Sequence, residues 1–281
     1  MVAETLGHRH EDRFGTVWHL ADRDMVTAAE FVSQVAAAPP GSILPTGVEI
    51  LRQRGSRRVL RMTAREDEQA TVVAKIFRLS SLYRRLRHQF AGYNRFALGE
   101  AANMITAAGR GLDVPRVYGY GYTRGRSGII KTDVLIMEDL TSCVPVGELL
   151  ERHAANRDTC EEILNGSARI FTGLFRAGCN HIDVNPGAIL LDRDNWTKAF
   201  LLDFEHATFH RMPSLEILAF EAAYFSRSCR RWVDKDMIDR WFARLVEATG
   251  VTDPGGIKVL TDRFRRYLNR IMSRRERRKI R

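Results

Sequence analysis

The sequence is poor in the features that mark several large classes of protein. Cysteine occurs only four times in 281 residues (Cys143, Cys160, Cys179 and Cys229), never as C-x-x-C. That argues against a disulfide framework or a thiolate zinc module and suits a reducing compartment. Eight prolines and 21 glycines stand beside 44% hydrophobic residues, so a low-complexity or disordered chain is excluded. No apolar run approaches the roughly 18–20 residues needed to span a bilayer. The start, from Met1 to Asp12, mixes acids and bases without an apolar stretch. A secretory signal is therefore not expected, and the expected location is the cytoplasm. Neither G-x-S-x-G nor G-x-G-x-x-G occurs, and no internal repeat is present.

Charge is plentiful but unevenly placed. The formal net charge is +10, yet residues 263–281 hold ten Arg or Lys and one acid, Glu276, which leaves 34 bases and 33 acids elsewhere. The body is nearly neutral and the basicity is a tail. Within it Phe264, Tyr267, Leu268, Ile271 and Met272 fall at helical spacing among Arg263, Arg265, Arg266, Arg270, Arg274 and Arg275. This predicts a basic amphipathic helix. It has two outlets: contact with an anionic membrane face, or docking of the apolar stripe on the protein with the last eight residues loose. No aromatic-interleaved basic motif supports nucleic-acid binding.

Along the chain, residues 1–42 form an N-terminal extension with one predicted helix, Met25 to Ala37, ended by Pro39-Pro40-Gly41. From Ile43 short β-rich runs follow: Val48–Leu51 and Val59–Thr63 about the turn Arg54-Gly55-Ser56-Arg57-Arg58, then Thr71–Phe77 after the charged turn Arg65–Glu68. Two helices are predicted next, Leu82–Gln89 and Tyr93–Ala108, then strands at Arg116–Tyr120 and Asp133–Met137. Beyond Glu138–Thr141 the chain turns helical, at Val146–His153, at Thr159–Ala177 and from Ser214 on, with one hairpin of Ile189–Leu191 and Ala199–Leu202. The expectation is an α+β chain of two lobes: a β-rich lobe over 43–140, a helical lobe over 141–262, and the tail over 263–281.

Few residues qualify for chemistry, and each has a plain alternative. Lys75 sits in an apolar strand, where a charge is costly without a partner; an edge-strand lysine reaching solvent is the plain reading. Glu100 lies on the following helix between Gly99 and Ala101, and a lone helical Glu is ordinarily a solvated face. Asp183 follows His181 by two residues in a loop that reaches Pro186-Gly187. Asp203 ends the run Phe200-Leu201-Leu202 and precedes Phe204-Glu205, where acids commonly form turns. His8 with His10, and His206 with His210, have ligand-like spacing but no clustered acids or cysteines to complete a metal site. Ser142 and Cys143 have no paired base in sequence.

In combination the order is harder to dismiss: strand lysine, helix glutamate 25 residues on, loop H-x-D, short hairpin, L-L-D-F. It resembles the protein-kinase-like fold. Ala74-Lys75-Ile76-Phe77, Gly99-Glu100-Ala101, Ala107-Ala108-Gly109 leading to Val114-Pro115, Ile136-Met137-Glu138-Asp139-Leu140, His181-Ile182-Asp183 and Leu202-Asp203-Phe204-Glu205 resemble the lipopolysaccharide kinase (Kdo/WaaP) family over about residues 47–210. The resemblance implies an enzyme using ATP and Mg²⁺ to phosphorylate a heptose or Kdo hydroxyl of the lipopolysaccharide inner core, cytoplasmic and peripheral at the inner membrane. It implies Lys75 for the phosphates, Glu100 as its ion pair, Asp183 as catalytic base, Asp203 as metal ligand, and backbone groups from Glu138 to Leu140 for adenine. His181 would brace the loop.

The chain departs from that pattern twice. The usual Asn five residues after the loop Asp, a second metal ligand, is here Ala188; Asn185 and Glu205 are the substitutes at hand. The nucleotide-covering turn offers only Gly55, with Arg54, Arg57 and Arg58 in place of glycine amides. A pseudokinase binding module, or a kinase for a soluble small molecule or protein, therefore stays open as an alternative.

Overall fold

The computed structural model describes residues 5–39, 42–63, 71–79, 81–83, 85–86 and 96–280. The expected Arg65–Glu68 turn, half of the expected Leu82–Gln89 helix and the first turn of the expected Tyr93–Ala108 helix lie outside the described residues. The chain divides into two compact units: residues 1–106 with 115–139, and residues 107–114 with 140–281.

The first unit is built on one antiparallel sheet of seven strands. These are β1 (His8–Glu11), β2 (Thr16–Leu20), β3 (Val48–Arg54), β4 (Arg57–Thr63), β5 (Thr71–Arg78), β6 (Val117–Arg124) and β7 (Ile130–Glu138), in the order β1-β2-β6-β7-β5-β4-β3. The sequence reading placed a helix but no strand before residue 42; the structure adds β1 and β2, with β2 paired to β6. Short alternating strands such as His8–Glu11 carry too little apolar signal to stand out from a polar loop.

Helix α1 (Val26–Ala37) covers one sheet face. Val32, Val35 and Ala36 pack there with Trp18 and Leu20 of β2, Leu60 and Met62 of β4, Val72, Ala74 and Ile76 of β5, and Val134 and Ile136 of β7. Trp18 Nε1 donates to Asp12 Oδ2 at 2.9 Å and to Ser33 Oγ at 3.0 Å, which satisfies the indole inside this core. Its ring lies over Gly121, where a Cβ would come within 2.6 Å of it. Because side chains alternate across a strand, Lys75 and Phe77 of β5 face the other way. That face meets α2 (Phe96–Gly109): the Phe77 and Phe96 rings stack at 5.4 Å, and Arg57 lies over both at 4.9 Å. Burial on both faces is why β5 reads as a continuous apolar run.

The second unit is mainly helical. It contains α3 (Val146–Arg152), α4 (Arg157–Arg176), α5 (Leu215–Cys229), α6 (Lys235–Thr249), α7 (Pro254–Leu268) and the four-residue α8 (Arg274–Arg277). Asn156, Ser214, Asp234 and Asp253 cap α4, α5, α6 and α7 by accepting from a backbone amide of the first turn. An aromatic core of Phe171, Phe225 and Trp241, with ring centroids 5.1–5.3 Å apart, joins α4, α5 and α6. Two small sheets sit beside these helices. Strand β8 (Cys143–Pro145), β10 (Ile189–Asp192) and β11 (Ala199–Leu201) run in the order β11-β10-β8. Strand β9 (Cys179–Asn180) pairs with β12 (Thr208–Phe209). The β10–β11 hairpin was expected; β8, β9 and β12 are too short to show a period.

The tail follows the docking outlet only in part. Phe264, Tyr267 and Leu268 are buried, as docking requires, but the helix stops at Leu268 and Ile271 is 88% exposed. The final residues are not loose, since Arg277 and Ile280 are both buried. Among the described residues no helix is long and apolar enough to cross a membrane.

Candidate active site

The expected site residues fall into two groups, one in each unit. In the first unit, Lys75 lies on an interior strand between β4 and β7, so it is not an edge lysine. Its Nζ donates to Glu100 Oε1 at 2.6 Å, with 8% exposure for Lys75 and 2% for Glu100. The small neighbours of Glu100 allow this: Ala97 and Ala101 are fully buried, so α2 lies close on the sheet. Asp133 fixes the start of that helix by accepting from the Ala97 amide at 3.0 Å. A buried charge pair of this kind is costly to desolvate, and its retention in a β-sheet face points to use rather than stability alone.

Glu138 ends β7, which runs beside β5 with Glu138 opposite Val72. Its amide donates to Arg116 O at 2.8 Å, and its Oε2 accepts from the Arg116 amide at 3.0 Å. Asp139 follows, with its carboxylate 2.8 Å from Arg61 Nε. Leu140 O accepts from the Cys143 amide at 2.9 Å and so starts the turn into β8. Of the basic hairpin turn, Arg57 spends its guanidinium on the Phe77 and Phe96 rings, and Gly55 takes the left-handed conformation that the two-residue turn requires (φ +57°).

In the second unit, β9 and β12 pair at one end and β10 and β11 at the other, which sets residues 181–188 alongside residues 202–207. Leu202 is tied on both sides: its amide donates to Ala188 O at 2.9 Å, and its carbonyl accepts from His181 Nε2 at 2.8 Å. The buried His181 ring also meets Phe204 edge-on at 4.9 Å. These contacts hold the H-x-D loop against the L-D-F segment. Asp203 is exposed and takes a left-handed backbone (φ 64°, ψ 51°). Ile182 is left-handed too (φ 65°), which is unfavourable for a β-branched residue and persists only where surroundings enforce it.

Asn185 braces the loop from within. Its Nδ2 donates to Asp183 O at 2.9 Å and its Oδ1 accepts from the Gly187 amide at 2.9 Å. Glu205 lies 3.7 Å from His206 Nε2. Ala188, in place of an Asn, is buried and contributes its carbonyl to Leu202. Among the described residues no group of three His, Cys, Asp or Glu side chains gathers closely enough to hold a metal by itself.

Two residues outside the sequence reading complete this region. Glu221 of α5 is buried, and its Oε1 accepts from the Ile182 amide at 2.7 Å. Burial pushes its pKa up to about 8, with Asp183 acting the same way, against the Ile182 and His181 amides and Arg277. Its signal was available: an acid inside Ile217-Leu218-Ala219-Phe220 and Ala222-Ala223, where every neighbour is apolar and buried. Arg277, in the tail, bonds Asp183 Oδ1; one arginine among so many gave no signal at all.

A lysine–glutamate pair inside a β-sheet unit, with an H-x-D loop locked to an L-D-F segment in a helical unit, defines a protein-kinase-like fold. The model of the lipopolysaccharide kinase (Kdo/WaaP) family matches residues 46–238, and the chain belongs to that family, whose members are kinases. Among solved structures it is similar to WaaP in complex with acyl carrier protein, at 17% identity and a TM-score of 0.50, over 78% of this chain and 88% of that one. No curated protein matches.

Proposed function

We propose that this kinase transfers the γ-phosphoryl group of ATP to a hydroxyl of a heptose or Kdo residue in the lipopolysaccharide core. The observation that carries the reading is the buried Lys75–Glu100 pair at 2.6 Å. A cation fixed in this way serves as a stationary counter-charge for phosphate oxygens, at no reorganisation cost during the reaction. Backbone groups from Glu138 to Leu140, at the end of β7, would take adenine. Asp183 would accept the proton of the attacking hydroxyl as its oxygen bonds the γ-phosphorus and the bond to the β-phosphate oxygen breaks, releasing ADP.

Asp203, with Asn185 and Glu205, offers the hard oxygen donors that suit Mg²⁺. That ion keeps several waters and needs only one or two carboxylates beside the phosphates, so no protein cage is required. Bound there, it would neutralise phosphate charge. Ala188 cannot coordinate, so a single strong metal site is expected. The exposed Arg265, Arg266, Arg270, Arg278 and Lys279, with Ile271, support peripheral contact with an anionic inner-membrane surface near a glycolipid acceptor.

The test is ADP release from ATP with and without Mg²⁺, using lipopolysaccharide inner-core oligosaccharide as acceptor, for the wild type, Asp183→Ala and Asp203→Ala. Acceptor- and Mg²⁺-dependent turnover lost in both variants is expected. Turnover only with soluble small molecules or proteins would overturn the acceptor. Nucleotide binding that is absent in the folded protein would favour a pseudokinase.

A further inference from the structure

We propose that Arg277, four residues from the end of the chain, is a positioning residue that holds the catalytic loop and the Asp183 carboxylate in working geometry. The inference rests on the reading of Asp183 as the catalytic base.

Ile182 precedes Asp183 in a left-handed conformation, so something must enforce its backbone. Both of its backbone polar groups are held by buried side chains. Its amide donates to Glu221 Oε1 at 2.7 Å, and its carbonyl accepts from Arg277 Nη1 at 2.7 Å. The same Nη1 bonds Asp183 Oδ1. A single guanidinium nitrogen thus holds both the residue before the base and the base itself.

The arginine is itself held from both sides. Its guanidinium lies over the Tyr224 ring at 4.6 Å. Asn180, at the start of the loop, donates from Nδ2 to Arg277 O at 3.3 Å and to Ile280 O at 3.0 Å. The chain end and the loop are therefore mutual supports, and Ile280 is buried beside them. Arg277 is only 8% exposed and contacts Asp183 Oδ1. Without it, Ile182 keeps its strain but loses one of the two bonds that enforce it, and Asp183 loses a charge partner.

The experiment compares Arg277→Ala, Arg277→Lys and Asp183→Ala in the assay above, with thermal stability measured alongside. Arg277→Ala is expected to lower kcat by about 10–100-fold with KM for ATP changed less than about threefold, since displacement near 1 Å at the reacting groups has an effect of that size. Arg277→Lys, or tens of millimolar guanidinium added to Arg277→Ala, should restore part of kcat. An unimpaired Arg277→Ala, or one in which kcat rises, overturns the inference. So does a loss of kcat that follows thermal stability and is not rescued. An active Asp183→Ala variant overturns the role of Asp183 and with it that of Arg277, whereas an inactive one beside an unimpaired Arg277→Ala overturns the inference alone. Hydrogen exchange needs no turnover: Arg277→Ala should speed exchange of the Ile182 amide about tenfold while α5 amides keep their rates. Unchanged exchange at Ile182 would overturn the clamp.

Discussion

Glu221 gives the fold a pH dependence that its own isostere should erase. The carboxyl is buried on α5, and burial pushes its pKa up to about 8, aided by Asp183 and opposed by the Ile182 and His181 amides and by Arg277. The Cys179 thiol is itself pushed well up by burial and then by Glu221. In the folded protein the carboxyl therefore keeps its proton at neutral pH, whereas in the unfolded chain it ionises near 4.5. Between those values the native state binds more protons, so unfolding free energy falls as pH rises. The contribution is complete below about pH 4.5, is lost steadily up to about pH 8, and is constant beyond. At about 1.4 kcal/mol per unit, the whole window amounts to roughly 5 kcal/mol. Glu221→Gln keeps an Oε1 acceptor for the Ile182 amide and nearly the same volume but cannot titrate. Urea unfolding of both proteins at several values from pH 5 to pH 8 is the assay. The wild-type free energy minus that of Glu221→Gln should fall by about 3–4 kcal/mol across that range. A difference that stays flat would refute the reasoning: the two amides and Arg277 would then outweigh burial and keep the carboxylate ionised throughout.

Three further outcomes follow from the geometry. Glu100→Ala strands the Lys75 charge in the interior and should cost about 3–5 kcal/mol by urea unfolding, much of it recovered in the double variant Lys75→Met with Glu100→Leu, while nucleotide affinity is lost in both; equal cost in single and double variants would show that the pair is not coupled. Gly121→Ala places a methyl 2.6 Å from a Trp18 ring that two hydrogen bonds from its indole hold in place, so about 1–3 kcal/mol of stability should go, read as a lower Tm. Asp203→Asn keeps a residue that tolerates the left-handed backbone, so stability should move by less than about 0.5 kcal/mol while turnover falls at least about 100-fold.

How much was legible depended on whether a residue's task left a local pattern. The two-faced burial of β5 did, as an unbroken apolar run around Lys75, and the helical period of α4 did, through Ile163, Leu164, Ile170 and Phe171. The H-x-D and L-D-F segments were legible because their order along the chain is itself a pattern. Strands β1, β2, β8, β9 and β12 were not, because two to five residues form a strand only when a partner supplies the other half of the ladder. Glu221 stood between the two cases. Its apolar neighbours marked it as a buried acid, but its work, holding a backbone amide 39 residues away, is visible only in three dimensions.

The tail shows why composition misleads about a segment's task. Its charge and helical spacing left both membrane contact and docking on the protein open, and the spacing continues through Ile271 and Met272. The helix nonetheless ends at Leu268, because Asn269 and the residues after it turn the chain back toward the H-x-D loop. Bulk charge remains on the exposed Arg265, Arg266, Arg270, Arg278 and Lys279, while Arg277 is buried against Ile182 and Asp183. Deleting residues 263–281 would therefore remove an exposed charge cluster, part of the α7 packing through Phe264 and Tyr267, and a contact to the H-x-D loop, all in one step. Loss of activity in such a deletion says nothing about membranes. Replacing only the five exposed bases by glutamine separates the effects: binding to vesicles rich in anionic lipid should fall, since each base near the surface contributes about 1 kcal/mol, while turnover on a soluble inner-core oligosaccharide should stay within about twofold.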